Sequence, residues 1–264
     1  MLKKYLSALT IAGTTLFSTL SQSATVVLVH GAFQDGAVWQ NLTPLLEKQG
    51  HKIVVVNLPG RTGNPADVFA MTLEAYRDAV IKSIGEGTDK AVLVGHSFGG
   101  FTISSVAEAI PARVDTAIYV AAYLPQNGES MQSLAQLDKG NKFTQENFVI
   151  AKDFSVASIL ERDRGLIFCE ECSDEQKATL LSMMVDEPLK PVGSPIALSD
   201  AAFGSVRKAY IATKRDNAVS RSLQQVMIDR AKLASLIEID TGHSPAISAP
   251  EALAEAINAS IGGH

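Results

Sequence analysis

Val92-Leu93-Val94-Gly95-His96-Ser97-Phe98-Gly99-Gly100 reads as a buried strand that turns sharply into a helix through a Gly-x-Ser-x-Gly sequence. A strand-to-helix elbow of this kind forces its central residue into a strained, exposed conformation. Small flanking residues let neighbouring backbone segments approach closely. Ser97 should therefore stand at the carboxyl edge of a sheet, at the N-terminus of the helix predicted over Phe98 to Glu108. Free N–H groups and the helix dipole favour negative charge there. Those features make Ser97 a candidate nucleophile.

Outward from this elbow, short apolar runs alternate with longer amphipathic ones. Thr25 to Val29, Lys52 to Val56, Lys90 to Val94 and Val114 to Ala121 read as strands, the first two as buried ones. Lys208 to Ala212 and Leu236 to Ile239 add two more. Trp39 to Gln49 has helical spacing and stops at Gly50. Thr72 is placed to cap a helix running to about Gly85, and a last helix is predicted from Pro250 to Ile261. Strands alternating with helices predict an α/β fold, a mostly parallel sheet of about six strands covered by helices on both faces. From about Pro125 to Ser205 the rhythm breaks. That stretch carries scattered aromatics, Met183-Met184 and three prolines (Pro188, Pro191, Pro195), with no clear strand. It is expected to be a helical lid insert over the sheet's carboxyl edge, where open α/β sheets bind ligands.

A serine hydroxyl is a poor nucleophile until a base takes its proton. Of the five histidines, His51 follows a helix-ending glycine and His264 is terminal. His96 adjoins Ser97 and should point away from it, and His30 follows the first strand. Only His243, in Asp240-Thr241-Gly242-His243-Ser244, sits in a loop after the last strand. The chain order Ser, Asp/Glu, His then requires an acid in the loop after the penultimate strand, where Asp216 lies. Asp240 is the competitor, but it is too near His243 in sequence. The position after the fourth strand reads Ala121-Ala122-Tyr123 and has no carboxylate. Backbone N–H groups of Ala32, in the turn His30-Gly31-Ala32-Phe33, and of Phe98 are the expected oxyanion hole. An apolar substrate pocket is expected from Phe33, Tyr123, Leu124, Phe154, Leu160 and Met184, with Phe98, Phe143 and Phe148 as further candidates.

The chain has 264 residues, 46% hydrophobic and 19% charged, enough for one sizeable core without a second domain. Lys3 and Lys4, the uncharged run Leu6 to Leu20 and the small residues Ser21-Gln22-Ser23-Ala24 read as a signal peptide over residues 1–23. An uncleaved anchor is the rival, but the run is short and rich in Ser and Thr. Residues 24–264 form the expected mature domain, periplasmic or secreted, with no stable membrane insertion after cleavage. Its formal charge moves from −5 to about −7 with loss of the two lysines. No cluster of Lys and Arg suits a nucleic-acid surface. The expected partner is a small molecule, and a homodimer is left open. Cys169 and Cys172 form a Cys-x-x-Cys pair, read as a local disulfide or as free thiols. Two further ligands would be needed for a zinc site, so neither metal nor organic cofactor is expected.

These residues resemble the plant methylesterase and hydroxynitrile lyase group of α/β-hydrolases and bacterial esterases similar to it. The resemblance rests on His30-Gly31-Ala32-Phe33 with Gly36 and Trp39, on Gly95 to Gly100, on Tyr210-Ile211 leading to Asp216, on Gln225 and on Gly242-His243. It implies the α/β-hydrolase fold, a triad of Ser97, His243 and Asp216, and cleavage of a small carboxylic ester through an acyl-enzyme. The lyases of this group typically carry a threonine where Gly31 stands and a lysine where Ser244 stands. Without that cation to receive departing cyanide, the resemblance favours ester hydrolysis. A lyase or acyltransferase on the same triad is the alternative, and a receptor-like ligand-binding hydrolase is the third reading.

Overall fold

Four β-branched residues and a leucine make up Thr25–Val29 (β1), and every residue after the first is buried. Such a run cannot lie on a surface, and both of its edges are paired. In this computed structural model residues 23–61, 64 and 66–262 are described. The expected signal peptide, save for Ser23, lies outside them. The first half of the chain continues with Thr43–Lys48 (α1), Lys52–Val56 (β2), Leu73–Ile84 (α2), Ala91–His96 (β3), Gly99–Ala109 (α3) and Val114–Val120 (β4). The insert follows, with Met131–Leu137 (α4), Phe148–Ile150 (β5), Val156–Ile159 (β6), Glu161–Cys169 (α5), Asp174–Met183 (α6), Glu187–Pro188 (β7) and Leu189–Gly193 (α7). The chain then returns through Arg207–Thr213 (β8), Arg221–Asp229 (α8), Ser235–Ile239 (β9), Pro245–Ser248 (α9) and Pro250–Gly262 (α10).

The main sheet has six strands in the order β2-β1-β3-β4-β8-β9, all parallel. The chain moves from β1 outward to β2 and then back across to β3. The crossover reverses between β1 and β3, so their carboxyl ends diverge and leave a crevice. The segments at the ends of β1, β3, β8 and β9 carry His30 to Phe33, Ser97, Asp216 and His243 respectively.

Three elements depart from expectation. β2 is an edge strand, and of its residues only Val56 is buried. Its apolar run packs against α1 and α2, but with one edge unpaired most of its residues keep partial exposure. The helix expected over Trp39 to Gln49 is split into a 3₁₀ turn at Gly36–Trp39 and α1. Pro44 in the first turn of α1 explains the break, because its fixed φ and missing N–H suit a helix start and not an interior. The insert holds helices as expected, but also a three-stranded antiparallel sheet in the order β5-β6-β7. Those strands are three, four and two residues long, too short for an alternating pattern to register. The Thr72 cap stands as expected, its Oγ1 accepting from the Ala75 N–H at 3.1 Å.

The elbow is fastened to the end of β4. The Ser97 N–H donates to the Val120 carbonyl at 3.2 Å, and the Ser97 carbonyl accepts from the Tyr123 N–H at 3.1 Å. α3 therefore passes so near residues 122–123 that a Cβ on Gly100 would lie 2.0 Å from the Tyr123 carbonyl oxygen. Backbone on both sides leaves nothing flexible to give way. Gly100→Ala is expected to destabilise the protein by about 1–3 kcal/mol or more, as overpacking does, read as a lowered midpoint in urea or thermal unfolding.

Candidate active site

Ser97 adopts φ +53°, in the left-handed region that non-glycine residues seldom occupy. It sits between the end of β3 and the first turn of α3, with Phe98 as the N-cap residue. The turn after β1 is pressed against it: a Cβ on Gly31 would lie 2.7 Å from the Ser97 Cβ and 3.2 Å from His96 Nδ1. Glycine lets the two turns meet without displacing either one. The amides of Ala32 and Phe98 have no backbone acceptor among the described residues. Both remain available to an anion formed beside Ser97.

His243 is buried and points its Nδ1 at Asp216 Oδ2, 2.9 Å away. Asp216 is held by four further donors. Thr213 Oγ1 (2.9 Å) and Gln224 Nε2 (3.2 Å) also reach Oδ2, while the amides of Ala218 and Val219 reach Oδ1, both at 2.8 Å. A carboxylate gripped in this way fixes the tautomer with hydrogen on Nδ1, leaving Nε2 with its lone pair. The His243 backbone is anchored too. Its carbonyl accepts from His96 Nε2 at 2.7 Å, and the two imidazoles lie 4.7 Å apart, centroid to centroid. The preceding residue, Gly242, donates its N–H to Glu171 Oε1 at 2.6 Å. Phe168 packs on the His243 ring at 5.8 Å.

His96, adjacent to Ser97 in sequence, thus turns away from the serine and serves as a strut beneath the His243 loop. Burial, and then the neighbouring His243, push its pKa down to about 3. His30 is likewise held well below the ordinary value by burial and by Arg61. It bridges the Gly31 carbonyl (2.9 Å) and the Leu58 N–H (3.2 Å). Both rings are neutral at physiological pH, so two uncharged imidazoles brace the turns that bear Ala32 and His243.

A small chamber over Ser97 is lined by Ala32, Phe33, Tyr123, Met131, Phe143 and Phe168, with Ala218 and Val219. Its volume is about 10 Å³, room for roughly one water. A larger apolar cavity of about 630 Å³ shares Tyr123, Met131 and Phe143 with it. Of the residues expected in the substrate pocket, Phe33 and Tyr123 face the chamber. Leu124 lines a separate cavity beside Met227, Phe154 is 71% exposed, and Leu160 and Met184 are absent from the chamber wall. Phe98 is buried against Tyr76 and Phe101. Phe143 lines both spaces, and Phe148 lines the larger one. Residues not anticipated from sequence are Gln224, Glu171, Phe168 and the strut role of His96. Glu171, Phe168 and His96 reach His243 or its loop across long stretches of chain, whereas Gln224, on α8, lies only eight residues from Asp216; none carries a local signature. Cys169 and Cys172 are joined as a disulfide with Cα atoms 5.2 Å apart, so Glu171 sits inside a closed loop.

His96 carries a pH consequence. The unfolded ring protonates near its ordinary 6.5, the folded one only near 3. Between these values the unfolded state binds more protons, so stability is full above about pH 6.5 and falls as pH drops toward 3. His30 acts in the same direction. His96→Gln is expected to flatten the slope of unfolding free energy in that window by up to about 1.4 kcal/mol per pH unit. Urea titrations at a series of pH values measure it.

A family profile described as "Alpha/beta hydrolase family" matches residues 26–256. Putative methylesterase 11, chloroplastic, of Arabidopsis thaliana is 31% identical over 244 residues, covering 86% of this chain and 61% of that protein. Alpha-hydroxynitrile lyase of the same plant is 27% identical over 268 residues, covering 88% of this chain and 95% of that one. The crystal structure of a pyrethroid hydrolase from Sphingobium faniae has the same fold, with TM-score 0.79 at 22% identity over 89% of this chain and 96% of that one. With its parallel sheet, its elbow and a match over nearly all the described residues, this chain belongs to the alpha/beta hydrolase family.

Proposed function

We propose that the chain is a serine hydrolase that cleaves small carboxylic esters. The observation that carries the reading is the buried Asp216–His243 hydrogen bond, set in a loop that His96 ties to the Ser97 elbow. His243 Nε2 takes the Ser97 proton as Oγ attacks the ester carbonyl carbon. The amides of Ala32 and Phe98 receive the charge that develops on the carbonyl oxygen. His243 returns the proton to the departing alkoxide, which leaves as an alcohol. Water, deprotonated by the same imidazole, then attacks the acyl-enzyme and frees the acid and Ser97. No metal or organic cofactor is called on. The names of similar proteins, methylesterase among them, support ester hydrolysis.

The lyase alternative has its own support in the likeness to an alpha-hydroxynitrile lyase. Cyanide departure favours a nearby cation. Ser244 follows His243 here, and among the described residues no lysine or arginine lines the chamber. That chemistry favours hydrolysis. Export to the periplasm or medium is proposed from residues 1–23, and the Cys169–Cys172 disulfide suits an oxidising compartment.

Ser97→Ala should abolish turnover of p-nitrophenyl acetate and butyrate. Asp216→Asn should lower kcat by about 10³–10⁴ by letting the imidazole take the wrong tautomer. Unchanged turnover in the first variant removes the nucleophile assignment, and release of cyanide from a cyanohydrin by the parent would favour the lyase. The chamber geometry adds a second expectation. Met131→Ala opens the wall shared with the larger cavity, so kcat/KM for p-nitrophenyl octanoate should rise relative to acetate. An unchanged octanoate-to-acetate ratio would place the acyl chain elsewhere.

A further inference from the structure

Arg61 and Glu187 form an ion pair in which neither side chain has any exposure. Two buried ions lose hydration worth several kcal/mol each, and apolar residues of similar volume often replace such a pair without loss of stability. What apolar side chains cannot do is bond main-chain groups, and this pair bonds several at one place. Glu187 Oε2 accepts the Phe33 N–H at 3.1 Å as well as Arg61 Nη2. Arg61 Nε donates to the Gln34 carbonyl at 3.0 Å, and Nη1 to the Pro59 carbonyl at 3.2 Å. Tyr76 Oη lies between the two charged groups, accepting from Arg61 Nη1 at 3.0 Å and donating to Glu187 Oε1 at 3.2 Å. The Val185 N–H, two residues before Glu187, donates to the Phe33 carbonyl at 2.9 Å.

Phe33 needs this hold. Its φ is +61°, a conformation that costs a non-glycine residue about 1–3 kcal/mol. The residue before it is Ala32, and the Ala32–Phe33 peptide unit contains the very N–H that Glu187 grips. Fixing that peptide plane fixes the turn that places Ala32 beside Ser97 in the chamber wall.

We propose that Glu187 and Arg61 are positioning residues: the insert's carboxylate and the guanidinium from the loop after β2 lock residues 32–34 so that the Ala32 amide is aimed at the anion forming beside Ser97. The insert thereby does more than cover the site, because one of its residues sets the geometry of the oxyanion turn. The proposal rests on the reading of Ala32 as an oxyanion donor.

The test uses two double variants of the full chain, so that no charge is left buried alone. Arg61→Met/Glu187→Met removes every bond of the pair. Arg61→Met/Glu187→Gln keeps an acceptor for the Phe33 N–H. Each is assayed for thermal midpoint, for kcat and KM on p-nitrophenyl butyrate, and for affinity toward butylboronic acid, whose tetrahedral adduct on Ser97 mimics the oxyanion. In the methionine double, kcat should fall about 10- to 100-fold, the size of effect a misaimed catalytic group produces. KM should stay within about threefold, and boronate affinity should fall in parallel with kcat. The glutamine double should recover most of both. Parent-like kcat and boronate affinity in the methionine double, or equal losses in the two doubles, overturns the proposal. Amide exchange in the unmodified protein gives a readout that needs no variant. The Phe33 N–H should exchange slowly before and after boronate is added. Fast exchange that slows only on binding would mean that the ligand, not Glu187, orders the turn. A parent without esterase turnover overturns the functional reading beneath this one, whereas an active parent with unaffected doubles overturns the positioning role alone.

Discussion

The site depends on one strained backbone. Ser97 is held at φ +53°, a conformation that costs an L-residue of the order of 1–3 kcal/mol and persists only where its surroundings over-determine it. The surroundings do so here through the Ser97 N–H to Val120, the Ser97 carbonyl from Tyr123 and Gly100, and the contact of Gly31 with the Ser97 Cβ. The strain offsets nothing by itself. Its effect is geometric: it sets Ser97 in the chamber wall at the sheet's edge, with Phe98 following it as the N-cap residue of α3. Gly100 faces the Tyr123 carbonyl and Gly31 faces the Ser97 Cβ, and neither approach leaves room for a side chain.

The second half of the site comes from the insert, which meets the sheet's carboxyl edge at several places near the functional segments. Phe168 lies on the His243 ring, Glu171 accepts from Gly242, and Glu187 accepts from Phe33. Polar contacts of this kind gain strength where water is excluded. The chamber beside them holds about 10 Å³, so the proposed ester substrate would have to displace side chains to enter. Met131 and Phe143, both from the insert, form the wall toward the larger cavity. Rotation of two apolar side chains there is a smaller change than lifting an insert pinned by a buried ion pair.

Asp216, His96 and His30 divide their tasks by environment. Asp216, gripped by amides and side-chain donors, orients the imidazole. His96 and His30, buried and pushed low in pKa, act as neutral bridges between loops. A protonated imidazole at His96 would put a like charge close to the imidazolium that the proposed acyl transfer would form on His243. Neutral rings give the same mechanical support without opposing that charge.

The amino-acid sequence by itself determined the parallel sheet, the elbow at Ser97 and the chain order that leads through Asp216 to His243, because each is written in local pattern: β-branched runs, a Gly-x-Ser-x-Gly turn, a loop after a strand. It also located the insert by the loss of that pattern. Only the tertiary structure decided that β2 is an edge, that the insert carries a small antiparallel sheet, and that Phe154 faces solvent while Phe168 faces His243. It alone decided that His96 supports a carbonyl 147 residues away, that Glu171 sits 71 residues from the amide it caps, and that Glu187 reaches an amide 154 residues earlier. The physical reason is the range of the interactions. Strand and helix patterns arise from neighbours within a few residues, whereas these hydrogen bonds exist only once the sheet's crossovers and the insert have brought distant segments within about 3 Å.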